Sequence, residues 1–154
     1  MAKRICIGDI VEISTSKGLA YAQFSHKQAT HGALLRILPG IFELENVELD
    51  QLIKKTAQFS VFFPLQAAVN QNIFKIVGNY PVPESAQAFP LFRCAARDFR
   101  TGKVQAWWFW DGVKEWRVGD ITADQRKLSI RGIWNDTLLI ERIEAGWTPE
   151  KDSD

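Results

Sequence analysis

The sequence predicts an α+β domain: a strongly bent antiparallel sheet or small β-barrel with a few short helices. Three observations lead there. Apolar and polar residues alternate with period two in IGDIVEIST and LAYAQFS, as half-buried strands require. Turn-forming pairs such as Lys17-Gly18, Pro39-Gly40 and Asp111-Gly112 interrupt the apolar runs at short intervals. The helical signatures, NVELDQLIKK and NDTLLIERIEAGW, are short and widely separated.

At the amino-terminal end, IGDIVEIST and LAYAQFS flank SKG at Ser16 to Gly18 and form a hairpin. A polar link, HKQATH, leads to a third strand, GALLRIL, which Pro39-Gly40 stops. Gly8 to Leu38 is therefore expected to be a curved antiparallel sheet. In NVELDQLIKK, Asn46 stands at the cap position, Glu48 and Asp50 come early, and Lys54 and Lys55 come late. That charge order complements a helix dipole. QFSVFF reads as a buried strand, and Pro64 suits the first helical position of PLQAAVNQ. NIFKIVGNYPVPE is extended, and Pro81, Pro83 and Pro90 mark a surface connection.

LFRCAARDF and VQAWWFW flank Arg100 to Lys103 and run into the Asp111-Gly112 turn, so Arg93 to Val118 reads as a three-stranded meander. A two-residue loop at Asp111-Gly112 would set Trp107 opposite Trp116 and Trp108 opposite Glu115. Trp107, Phe109 and Trp116 then share one face, while Trp108, Trp110, Glu115 and Arg117 share the other. With indole on both faces, either both are covered or one aromatic row is exposed for binding. Charges are costly to bury, so Trp107 and Trp116 are expected inside and Trp108 or Trp110 outside. Thr122 and Gln125 have capping-box spacing for a short helix through Leu128. In NDTLLIERIEAGW, Asn135 or Asp136 would cap a helix that Gly146 ends, although Thr137, Ile140 and Ile143 also leave a strand open.

A chain of 154 residues suits one domain, expected over 1–148, with 149–154 as a frayed polar tail. Hydrophobic residues make up 46%, enough for a packed core and too much for disorder. The net charge of +1 supplies no global field, which argues against nucleic acid or an anionic membrane as the partner. Cys6 and Cys94 lack the neighbours of a metal or redox motif, and no run approaches the ~20 apolar residues of a membrane span. A cytoplasmic protein without cofactor or metal is expected.

Few residues suggest chemistry. His26 and His31 are the only imidazoles, and no nucleophile with an orienting partner, nor a zinc ligand set, is legible around them. Glu43, Glu45, Glu48 and Asp50 form an acidic run that reads as a solvated stretch feeding a helix and as the best local anionic surface. Arg93, Arg97, Arg100 and Lys103 lie beside the aromatic strands, where they could track phosphates or merely protect a strand edge.

GDIVEI (Gly8 to Ile13), YAQF (Tyr21 to Phe24), GALLRI (Gly32 to Ile37), WWFWDG (Trp107 to Gly112), RGIWND (Arg131 to Asp136) and GWTP (Gly146 to Pro149) occur in that order. In these segments the chain resembles the immunity protein 26 family of bacterial polymorphic-toxin systems; the middle of the chain is not covered. The resemblance implies a non-enzymatic antidote that binds and neutralises a cognate toxin domain. The lack of acidic excess departs from what is common among antidotes to basic nucleases. Interface hot spots favour indole, so Trp108 and Trp110 are the expected anchors, with Glu43, Glu45, Glu48 and Asp50 steering a basic toxin surface. The alternative is a small β-barrel module that binds RNA or carbohydrate through the tryptophan-rich hairpin.

Overall fold

The alternating segments near the amino terminus form β1 (Asp9–Thr15), β2 (Gly18–Gln28) and β3 (Gly32–Ile37), an antiparallel meander. The structure is a computed structural model that describes residues 3–43 and 47–152. HKQ, expected in the link, instead extends β2 as far as the Gln28–Gly32 pair. A bulge between Phe24 and His26 makes this possible, since the extra residue twists the strand end toward solvent, where polar side chains are tolerated.

Two later strands widen this sheet: β4 (Phe59–Phe62) pairs with β3, and β5 (Lys75–Asn79) pairs with β1. The order is β4-β3-β2-β1-β5, and the sheet does not close into a barrel. The outer edge of β4 is occupied by another segment: Ser60 N–H donates to Ser129 Oγ at 2.9 Å, and Trp134 N–H donates to the Phe62 carbonyl at 3.0 Å. Closure on β5 would require that same edge.

Val11, Ile13, Ala20, Ala22, Leu35 and Ile37 fill one face of the sheet. The helices α2 (Leu65–Asn70) and α3 (Asp136–Glu144) cover it through Leu65, Ala68, Leu139 and Ile143. Pro64 stands at the cap of α2, one position before the helix proper. For α3 the local signals hold: Asn135 Oδ1 accepts from Leu138 N–H at 2.8 Å. Its end is closed by Gly146 N–H to Ile143 O at 3.1 Å and Trp147 N–H to Arg142 O at 3.0 Å, a Schellman pair. RGIWND and GWTP meet here: the rings of Trp134 and Trp147 are in edge contact at 5.3 Å, and the Arg142 guanidinium lies 4.9 and 4.3 Å from them.

The opposite face is divided. At one end Ile10, Tyr21 and Leu38 pack against Leu52 and Ile53, around the short helix α1 (Leu49–Leu52). Glu48 takes the cap position of α1, and Asn46, the expected cap, lies outside the described residues. At the other end Leu34 and Phe62 meet a second sheet through Phe92 and Trp110.

That second sheet contains the expected meander, β6 (Phe92–Arg97), β7 (Val104–Trp110) and β8 (Glu115–Gly119), with β9 (Ser129–Ile130) added parallel to β6. Its order, β8-β7-β6-β9, leaves β8 on an edge. Between β9 and the meander, Thr122 and Gln125 form the reciprocal capping pair, but around a 3-10 turn, Gln125–Lys127, in place of the expected helix. Of the stretch 149–154, expected as a frayed tail, the described part includes a 3-10 turn, Pro149–Lys151, in which Pro149 is buried and its carbonyl accepts from Arg93 Nη2 at 2.6 Å.

Candidate binding surface

The aromatic hairpin turns through four residues, not two. Asp111 Oδ1 accepts from the backbone of Val113 at 2.9 Å and Lys114 at 2.7 Å, while Asp111 N–H donates to the Lys114 carbonyl at 3.1 Å. These backbone donors hold the Asp111 carboxyl below its ordinary range. The side chain thus builds an Asx turn, and the longer loop moves the register by two residues. A two-residue shift conserves faces, so Trp108 and Trp110 still share theirs with Arg117 and Glu115. Trp116, however, stands opposite Phe109 in an edge-to-face contact at 6.3 Å, and a bulge brings Trp107 opposite Gly119.

This register and the docking of the two sheets correct the expected burial. Trp110 is only 5% exposed, held among Phe62, Phe89, Phe92 and His31 with ring centroids 4.9 to 5.8 Å away. Arg131 lies over its ring at 5.3 Å and pairs with Glu115 at 2.9 Å, so the Glu115 charge on this face is matched in place. Trp110 is therefore a core residue, unavailable as an anchor. Trp116, expected inside, is 40% exposed because it stands on the edge strand, with no strand beyond it among the described residues. Trp107 is buried as expected, under the Arg93 guanidinium at 4.5 Å.

Trp108 is half-buried in a shallow groove of about 200 Å³, with Cys94, Ala96, Glu115 and Arg131 among its walls. Burial pushes the Cys94 thiol above its ordinary value, against an opposing effect of Arg131. Glu43, Glu48 and Asp50 are exposed beside α1, none of them lines this groove, and Glu45 lies outside the described residues. The described acidic residues thus do not contribute to the groove around Trp108. Of the four cations beside the aromatics, Arg93 is fully buried and Arg97 Nη1 donates to the Gly102 carbonyl at 2.9 Å. Arg100 lies near the Phe99 ring at 5.8 Å, and Lys103 is exposed.

His31 is packed against the rings of Phe62 and Trp110 at 5.0 and 4.9 Å. Burial first, and then the Arg131 charge, hold its pKa below the ordinary histidine value. A lowered histidine is neutral in the fold, so its contribution is complete above the unfolded value of about 6.5 and is lost as pH falls through the folded one. Denaturant midpoints are expected to decline on acidification from about pH 7 to about pH 5, with His31→Gln removing part of that slope. Equal slopes in both proteins would place the titrating group elsewhere.

Two arrangements were not legible in the sequence. Ser25 Oγ lies 2.9 Å from His26 Nδ1, and His26 Nε2 contacts the Gln87 carbonyl at 2.7 Å; since a carbonyl only accepts, Nε2 carries the proton. Arg36, inside the apolar run GALLRIL, is buried and bonded to Gln23. The one available signal was a lone polar residue at an outward position of an apolar strand. Compared with family models, curated proteins and solved structures, the chain matches none of them.

Proposed function

We propose that the protein acts by stoichiometric binding, as an immunity-type antidote that occludes a cognate toxin domain without turnover. The resemblance of its amino- and carboxy-terminal segments to immunity protein 26 supports this reading. The observation that carries it is the edge strand β8, where Trp116 is 40% exposed and Glu115 and Arg117 flank it. Val113, 87% exposed, extends the apolar surface into the adjoining turn. An unpaired edge offers backbone donors and acceptors, and an exposed indole offers a hot spot, so the two together suit a protein partner. Trp108 adds a second aromatic on the other side of the same hairpin. Glu43, Glu48 and Asp50 serve as a separate steering patch.

The decisive experiment is co-expression with toxin domains encoded beside this gene, followed by pull-down and binding kinetics. Trp116→Ala is expected to speed dissociation by about 30-fold, the scale of a hot-spot truncation of ~2 kcal/mol. Combined Glu48→Gln and Asp50→Asn should slow association and flatten its salt dependence while leaving dissociation almost unchanged. If no neighbouring toxin is neutralised, and the purified protein instead retains RNA or sugar that Trp108→Ala releases, the hairpin is a nucleic-acid or carbohydrate module.

A further inference from the structure

Between the α1 end and the second sheet, the outer face of the first sheet is polar and buried, with Gln23 paired across from Arg36 and Ser25 nearby on β2. A cleft of about 400 Å³ opens over it, with Ser25, His26, Arg36, Lys55, Ser60 and Phe89 among its walls. None of the lining residues is acidic.

Arg36 is 4% exposed, yet no carboxylate pairs with it among the described residues. Its Nε donates to Gln23 Oε1 at 2.8 Å, Nη1 to the Lys55 carbonyl at 3.4 Å, and Nη2 to the Ile53 carbonyl. A guanidinium has five N–H groups, so these three bonds leave two without an acceptor among the described residues. A buried charge matched only by neutral oxygens is costly, and burial accordingly lowers the Arg36 pKa. Lys55 brings a second cation to the rim, and the Ser60 hydroxyl makes no hydrogen bond within the described residues. One wall is different: Phe89, in edge contact with His26 at 5.5 Å, continues into Pro90 and Ala86.

We propose that this cleft binds a small organic oxyanion, a phosphate monoester or a carboxylate, with its charged head at Arg36, Lys55 and Ser60 and its apolar part on Phe89. The anion supplies the counter-charge that the fold leaves out, and the spare guanidinium N–H groups supply charge-assisted hydrogen bonds. Arg36 is also held by three acceptors of the fold, so its head group is oriented before the ligand arrives.

The test uses the full chain, isotope-labelled, with phenyl phosphate, benzoate and benzyl alcohol titrated separately at constant ionic strength set with chloride. Saturable amide shifts at Ser25, Lys55, Ser60 and Phe89 are expected with at least one anion, and the tighter of the two identifies the head group. Benzyl alcohol should bind about tenfold more weakly or not at all, and Lys55→Gln should weaken the anion about tenfold. Arg36→Gln should abolish binding, but because that variant can also unfold, the rim variants Lys55→Gln and Ser60→Ala decide the outcome. The proposal is overturned if neither anion gives saturable shifts in the cleft. It is likewise overturned if benzyl alcohol binds as well as the anions, or if both rim variants bind as tightly as the parent.

Discussion

Trp110→Ala is expected to destabilise the protein by about 3–5 kcal/mol, the range for a large aromatic cut from a packed core. The ring is 5% exposed and shares a cluster with Leu34, Phe62 and Phe92, which are supplied by both sheets, and with Phe89 from the segment before β6. Removing it opens a cavity where the sheets meet and strips the Arg131 guanidinium of the ring it covers at 5.3 Å. The backbone on each side is held in strand pairs, so collapse into the space is limited. Urea unfolding with an unchanged m-value and a lowered midpoint would measure this. A loss below about 1 kcal/mol would mean that the two sheets do not meet through this residue. The outcome bears on function, because Trp108→Ala and Trp116→Ala, which remove half-buried or exposed rings, should cost less stability than Trp110→Ala. Binding lost in those two variants is then attributable to the surface, whereas loss in Trp110→Ala reflects unfolding.

Gly8→Ala is expected to cost about 2–4 kcal/mol, the sum of a left-handed backbone penalty and disturbed hydrogen bonds. Gly8 has φ of +97°, and a Cβ built there would lie 2.5 Å from the Tyr80 carbonyl oxygen. The approach is close because this residue joins three partners. Its N–H donates to the Phe24 carbonyl at 2.8 Å, and its carbonyl accepts from Tyr80 N–H at 3.1 Å and from Gln23 Nε2 at 3.4 Å. A methyl group must push Tyr80 away, which also loosens the 2.9 Å bond from Gln23 Nε2 to the Tyr80 carbonyl. Gly102 is the control: its φ is +71°, but nothing lies within 4 Å of its would-be Cβ, so Gly102→Ala should cost only about 1–2 kcal/mol. Equal thermal shifts in the two variants would show that strain in φ, not the close approach, is the whole effect at Gly8.

Much of the fold was legible wherever the deciding interactions are a few residues long. Asn135 caps α3, and Thr122 and Gln125 satisfy each other, because those side chains reach backbone groups within three residues. The hairpin failed in a different way. Asp111-Gly112 does mark a turn, but the Asp111 carboxylate prefers the backbone of Val113 and Lys114, so the loop is longer than the dipeptide rule implies. Strand parity survived that change, because a shift of two residues returns every side chain to its own face.

The candidate site was less legible because exposure is not a local property. Alternation and the turn determined that Trp108 and Trp110 share a face with Glu115 and Arg117, and alternation set Tyr21 and Gln23 opposite the row of Ala20, Ala22 and Phe24. Only the tertiary structure decided what covers those faces. Phe62 and Leu34, far away in the chain, close over Trp110, while Trp116 is left uncovered at the edge strand. Arg36 and Arg93 are buried against the ordinary preference of arginine for solvent, where backbone carbonyls of Ile53, Leu128 and Pro149 arrive from other segments and accept hydrogen bonds from their guanidinium groups. Periodicity and turn chemistry act within a few residues and can be read along the chain. Burial is set by which distant surfaces pack together, and that is settled only when the two sheets dock.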